Sequence, residues 1–265
     1  MHRVREPGAY GAPTLKLRED LTVYRIGVSW IPAALAVVLC ATVTGCVNTR
    51  TTQLADGHAS AWKGKSVALT NRPSAGFMPV TTGKAMFGLI GAVAMVEAGK
   101  TIVAENSLED PAPQVGRRLR DAAVTQFGIV PAAIPPVSID ETDVSKLASA
   151  ARGADLLFDV QLTAWGLGYK PFSLHYYVSL GIKLRLIDVE KQTLIAEGYC
   201  FTNERDKEAK DLPTYNELMA DHAALLKSKL QAHTDACVEE LEQKVLNIAP
   251  GKQIQKTASN EAPQT

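Results

Sequence analysis

The stretch Tyr176-Tyr177-Val178-Ser179-Leu180-Gly181-Ile182-Lys183-Leu184-Arg185-Leu186 decides the fold. Its even-numbered positions are Tyr, Val, Leu, Ile, Leu and Leu; the odd-numbered positions between them are Tyr, Ser, Gly, Lys and Arg. A period of two held this long predicts a strand with one buried face, because successive side chains leave a pleated backbone on opposite sides. Upstream, within residues 156–165, Phe158, Val160, Leu162 and Ala164 alternate with Asp159, Gln161, Thr163 and Trp165. Downstream, a turn-like segment at residues 188–192 leads into a third strand over residues 193–201. Short connections make the three an antiparallel meander.

Working outward, residues 65–70 predict a short strand that ends in the breaker cluster 71–76. Asp110 and Pro111 suit the N-cap and first turn of a helix whose apolar face is Val115, Leu119, Ala122, Ala123 and Phe127, with Gly128 as its stop. A second, shorter helix carries Val144, Leu147, Ala148 and Ala151 and ends at Gly153. Both helices are one-sided, so both are expected on the sheet. After Leu212-Pro213, Thr214 and Glu217 form a capping-box pair that opens a long helix running to about Ile248, with Leu226, Leu230, Cys237, Leu241 and Val245 at helical spacing. Thr234-Asp235 is the expected place for an interruption. The resulting expectation is an α+β fold: a mainly antiparallel sheet, two helices packed on one face, and a long C-terminal helix. The domain spans residues 64–203, the C-terminal helix occupies 204–249, and the polar tail 250–265 is expected to be disordered.

Between the first strand and first helix lies Ala85-Met86-Phe87-Gly88-Leu89-Ile90-Gly91-Ala92-Val93-Ala94-Met95-Val96, uncharged throughout; extended over residues 85–104 it holds only Glu97 and Lys100. Twelve apolar residues cannot span a bilayer as a helix. Two readings stand: a segment that dips into a membrane or joins subunits through the small residues Gly88 and Ala92, and a glycine-rich piece of the core.

The chain has 265 residues, 46% of them hydrophobic and 21% charged, with 28 Lys+Arg against 28 Asp+Glu. That balance offers no basic surface for phosphates, so no nucleic-acid partner is expected. Motifs for chemistry are equally sparse. Gly64-Lys65-Ser66 lacks the earlier glycine of a phosphate loop and runs into a strand instead of a helix. His58, His175, His222 and His233 have no metal-ligand spacing, and no serine-nucleophile elbow occurs. The expectation is therefore no enzyme, no metal and no cofactor. Gly166-Leu167-Gly168-Tyr169 reads as turn geometry, and Trp165, Tyr169, Phe172, Tyr176 and Tyr177 gather around it. Those aromatics are either a partner-binding patch or packing at the end of the sheet.

The N-terminal region carries a different signal. Residues 28–47 hold no charge, Arg25 is the last cation before them, and the apolar centre 31–39 has signal-peptide dimensions. It ends in Val43-Thr44-Gly45-Cys46, which resembles the lipobox of bacterial lipoproteins. That resemblance implies recognition through Val43, Thr44 and Gly45, cleavage of residues 1–45, a diacylglyceryl group on the Cys46 sulfur with a further acyl group such as palmitate on its new amino terminus, and residues 46–63 as a tether. Val47 stands where an aspartate would imply inner-membrane retention, so the resemblance implies the periplasmic face of the outer membrane. The leader is longer than usual, and translation is expected to start downstream, at Val23 or Val28.

With Cys40 removed and Cys46 acylated, Cys200 and Cys237 remain. In an oxidising compartment they read either as a disulfide joining sheet to C-terminal helix or as two separate buried thiols. The element order, with Leu184-Arg185-Leu186-Ile187-Asp188 before a turn, resembles the α/β domain of TolB N-terminal and curli-secretion-channel lipoproteins. The functional expectation is a non-enzymatic lipid-anchored periplasmic protein that works through protein partners or self-assembly, with a glycan- or lipid-binding lipoprotein as the alternative.

Overall fold

The computed structural model describes residues 50–56, 61–81 and 88–249. The signal-peptide, lipobox and polar-tail readings lie outside the described residues. The meander is present: β5 (Leu156–Tyr169), β6 (Tyr176–Asp188) and β7 (Thr193–Asn203) pair antiparallel, with Leu162 opposite Ile182 and Ile182 opposite Cys200. The fold is α+β as expected, but the sheet is mixed. β1 (Ser66–Asn71) pairs parallel with β5, and also with the two-residue strands β3 (Val130–Pro131) and β4 (Val137–Ser138). β2 (Met78–Pro79) continues that edge, parallel to the far end of β5. A helical crossover brings the chain back to the end it started from, so the strand that follows enters parallel.

Among the described residues four α-helices complete the fold: α1 (Gly88–Asn106), α2 (Ala112–Phe127), α3 (Val144–Ala150) and α4 (Tyr215–Lys244). The caps follow the sequence closely. Asp110 accepts from the Ala112 N–H at 2.7 Å, Gly128 takes a left-handed conformation at the end of α2, and Thr214 and Glu217 form the reciprocal capping box of α4. Asp143 caps α3 by accepting from the Lys146 N–H at 3.0 Å.

The expected placement of two helices on one face is corrected. α2 and α4 share a face with the major core of Phe158, Leu162, Leu180, Ile182 and Leu184, whereas α3 packs Leu147 and Ala148 against Ala68, Leu157 and Ile187 on the opposite face. The reason lies in β5 and β6: neighbouring residues Leu157 and Phe158, and Leu186 and Ile187, are all buried, so this end of the sheet is apolar on both sides and needs two covers. The expected break in α4 at Thr234-Asp235 is absent: the backbone there stays helical, and the Thr234 hydroxyl donates to the Leu230 carbonyl. The break falls earlier, where Asp221, His222 and Ala223 have φ of 51°, 54° and 59°.

The apolar insert divides between its two readings. In α1, Ile102 is buried and Val103 packs on the core, while Val93 and Val96 are 68% and 40% exposed. Ala85 to Phe87 lie outside the described residues. Gly99 fixes where α1 meets the sheet: a Cβ there would stand 1.8 Å from the Phe77 carbonyl oxygen. Gly99→Ala is expected to lower stability by about 1–3 kcal/mol, because backbone cannot yield as a side chain would. Gly76→Ala, facing open space, is the matched control, and urea midpoints compare the two.

Candidate functional site

A groove of about 350 Å³ opens on the same sheet face as α3, beyond the end of the sheet that α3 covers. Its position follows from one extra residue. Between Leu162, opposite Ile182, and Ala164, opposite Gly181, Thr163 is a bulge. A bulge reverses the alternation of the strand beyond it. Trp165 and Leu167 therefore turn into the core, although Trp165 was expected on the polar side with Asp159 and Gln161. The same reversal sends Gly166 and Gly168 towards the open face.

Across the sheet that face is built in rungs. Gly168 is paired with Tyr177, Gly166 with Ser179 and then Asn203, and Ala164 with Gly181 and then Phe201. Glycine is needed here because aromatic rings lie over it: a Cβ on Gly168 would come within 2.1 Å of the Tyr177 ring, and one on Gly181 within 2.7 Å of the Tyr199 hydroxyl. Aromatic side chains laid across glycines on the next strand shield exposed backbone. Tyr199 and Phe201 stack with centroids 6.3 Å apart, and Phe201 remains 48% exposed. Thr163, Ser179, Asn203 and Arg205 bring polar groups to the rim.

The five aromatics, read as either a partner patch or packing at the end of the sheet, are divided by the fold. Trp165 is buried, stacks edge-on against Phe77 at 5.1 Å, and donates from Nε1 to the Ala75 carbonyl at 2.6 Å. Tyr176 faces the core and meets Tyr215 at 5.8 Å. Tyr177 and Tyr169 line the groove, and Phe172 projects fully into solvent from the β5–β6 turn. Tyr199, Phe201 and Gly181 were not singled out from the sequence; the odd-position aromatics flanking Cys200 were the available signal. Cys200 and Cys237 are joined in a disulfide, with Cα atoms 5.4 Å apart, which resolves the choice between bridge and separate thiols.

Below the groove, towards α3, lies a buried ionic cluster that sequence reasoning also missed. Asp159, 1% exposed, accepts from Arg72, from the Arg185 Nε at 2.8 Å and from the Thr70 hydroxyl at 3.0 Å. Arg185 also donates to the Thr142 carbonyl at 2.7 Å, and Arg72 to that of Glu141. Two guanidinium groups share this one carboxylate, and the cluster joins β1, β5, β6 and the loop before α3.

Titratable groups with altered pKa are dispersed. The Ser66 hydroxyl and N–H hold Asp155 below the usual carboxylate range. Burial raises Glu204, but hydrogen bonds from Lys207 and Lys229 outweigh it and leave the group low. Burial pushes His233 down and Glu242 up. None of the four lines the groove. Among the described residues no group of three or more His, Cys, Asp or Glu side chains is placed to hold a metal ion.

No protein-family model matches the chain, and no curated protein matches it. Solved structures similar to it include a PelC dodecamer from Paraburkholderia phytofirmans, at 12% identity and a TM-score of 0.33, covering 76% of this chain and 97% of that one. Lipoprotein GNA1162 from Neisseria meningitidis is 12% identical with a TM-score of 0.24, covering 63% and 99%. The LpoB C-terminal domain from Salmonella enterica is 13% identical with a TM-score of 0.22, covering 53% and 84%. At this distance a functional reading has to come from the chain's own residues.

Proposed function

We propose that this chain is a non-enzymatic lipoprotein, held by acyl chains on Cys46 at the periplasmic face of the outer membrane, whose α+β domain acts through protein contacts in envelope assembly or secretion. The observation that carries the contact role is an uncovered stretch of α1. From Gly88 to Val96 that helix has no charged residue, and Val93 and Val96 are exposed. An apolar helical turn in this state is stabilised by burial against a partner. Attachment is assigned to lipid: each buried methylene contributes about 0.8 kcal/mol, so two or three chains anchor durably. Among the described residues no helix is long and apolar enough to cross a membrane.

Both halves are testable in cells. Cys46→Ser is expected to abolish labelling by radioactive palmitate and to move the protein from the membrane to the soluble fraction. Unchanged attachment of an unlabelled protein overturns the anchor. After mild detergent extraction, blue-native electrophoresis is expected to show a defined complex that Val93→Asp with Val96→Asp disperses; a wild-type monomer overturns the contact role.

The groove supports a second reading, a module that binds a small glycan or lipid. Exposed Phe201 and half-buried Tyr177 would meet the ligand's apolar face, with Ser179, Asn203 and Arg205 at its polar groups. Phe201→Ser is then expected to remove glycan or lipid capture without altering complex size.

A further inference from the structure

We infer that the turn joining β5 to β6 is a second membrane contact, with Phe172 and Leu174 seated in the lipid leaflet that holds the acyl chains. The inference rests on the lipid-anchor reading. Three independent features of the fold converge on it.

The first is the turn itself. Phe172 is 109% exposed and Leu174 80%, and the loop that displays them is built rather than loose. The Lys170 N–H donates to the His175 carbonyl at 2.9 Å, the Ser173 N–H to the Lys170 carbonyl at 3.2 Å, and the Lys170 ammonium to the carbonyls of Arg205 and Lys207. Phe172 has φ 59°, a conformation that side-chain-bearing residues seldom adopt. The turn thus holds two large apolar side chains away from the protein.

The second is direction. Thr52 bridges Glu197 antiparallel on the open edge of β7, and a Cβ on Gly198 would touch the Thr51 methyl at 3.6 Å. β7 runs towards the turn, since its last residue, Asn203, pairs with Ser179. From Thr52 back to Thr51 the described chain therefore runs towards the end of the sheet that carries Phe172 and Leu174.

The third is length. Six Cα-to-Cα steps lead from Cys46 to Thr52 and span at most about 20 Å whatever path they take. Glu197 lies opposite Arg185, and β6 continues about 30 Å from there to Tyr176 before the turn begins. The hairpin outreaches the anchor. With Cys46 at the interface and no more than about 20 Å of chain between it and Thr52, the longer hairpin brings its tip into the leaflet.

The test uses the mature, acylated protein in vesicles of phosphatidylethanolamine and phosphatidylglycerol containing a spin-labelled lipid. Because Cys46 is acylated and Cys200 is bonded to Cys237, a Phe172→Cys variant has one free thiol to carry an environment-sensitive fluorophore; Glu190→Cys, in the turn at the opposite end of the sheet, is the control. Label at 172 is expected to shift to the blue and to be quenched several-fold more than label at 190. Leu174→Cys, which leaves Phe172 in place, repeats the measurement. Mass spectrometry of the same sample reports acylation of Cys46. Acylated, vesicle-bound protein whose labels at 172 and 174 both remain in water overturns the inference and leaves the anchor standing. Unacylated Cys46 overturns the anchor, and the inference with it.

Discussion

Asp159→Ala is expected to lower folding stability by about 3–5 kcal/mol, a loss comparable to the entire margin of a weakly stable domain. Removing the carboxylate strands Arg72 and Arg185, both nearly inaccessible to water, beside each other without an anion. It also frees the Thr70 hydroxyl, which otherwise links the cluster to the Val160 N–H of β5. The large effect comes from the charges left behind, so removing them as well must rescue it. Arg72→Met, Asp159→Leu and Arg185→Met together are expected to be far less damaging than Asp159→Ala alone. Urea denaturation of the wild type, the single variant and the triple variant decides the matter. A single variant that unfolds at the wild-type midpoint, or a triple variant worse than the single, would show that the cluster does not hold this end of the sheet.

Loss of the Cys200–Cys237 bridge is the second large effect. The two cysteines are 37 residues apart, and closing a loop of that size restricts the unfolded chain by about 4 kcal/mol. For a domain of this size that corresponds to a fall in Tm of about 8–16 °C. The bridge ties the middle of β7, an edge strand of the sheet, to α4, whose other contacts include the apolar side chains Leu226, Leu230, Leu241 and the following Val245. Those contacts remain in a Cys200→Ala, Cys237→Ala protein, so it is expected to fold at low temperature and to release α4 first on warming. Calorimetry with and without reductant measures the size of the effect, and hydrogen exchange across residues 215–244 measures its location. Equal Tm values for oxidised and reduced protein would be incompatible with a bridge that constrains the unfolded chain.

The candidate groove was only partly legible. Tyr169 and Tyr177 were singled out and line it, whereas Trp165, read on the polar side of its strand, borders the groove with its side chain buried in the core. The error has one source, the bulge at Thr163. A strand's alternation is visible in composition, whereas an added residue is defined only by what the partner strand does, here Ile182 and Gly181 opposite Leu162 and Ala164. The glycines had a similar ambiguity: Gly166 and Gly168 read as turn residues until the Tyr177 ring and the β2 backbone were placed against them.

What the sequence determined by itself was local. The alternation of Tyr176 to Leu186, the stop at Gly128 and the Thr214–Glu217 box each depend on a few adjacent residues and on backbone geometry, so the chain encodes them without reference to distant contacts. Only the tertiary structure decided which face α3 covers, that β1 enters parallel, that Asp159 gathers two arginines, and that Cys200 meets Cys237. Each of these joins residues far apart in the chain, where the entropy of bringing segments together and the burial gained on both sides of the sheet select one arrangement that no short window contains.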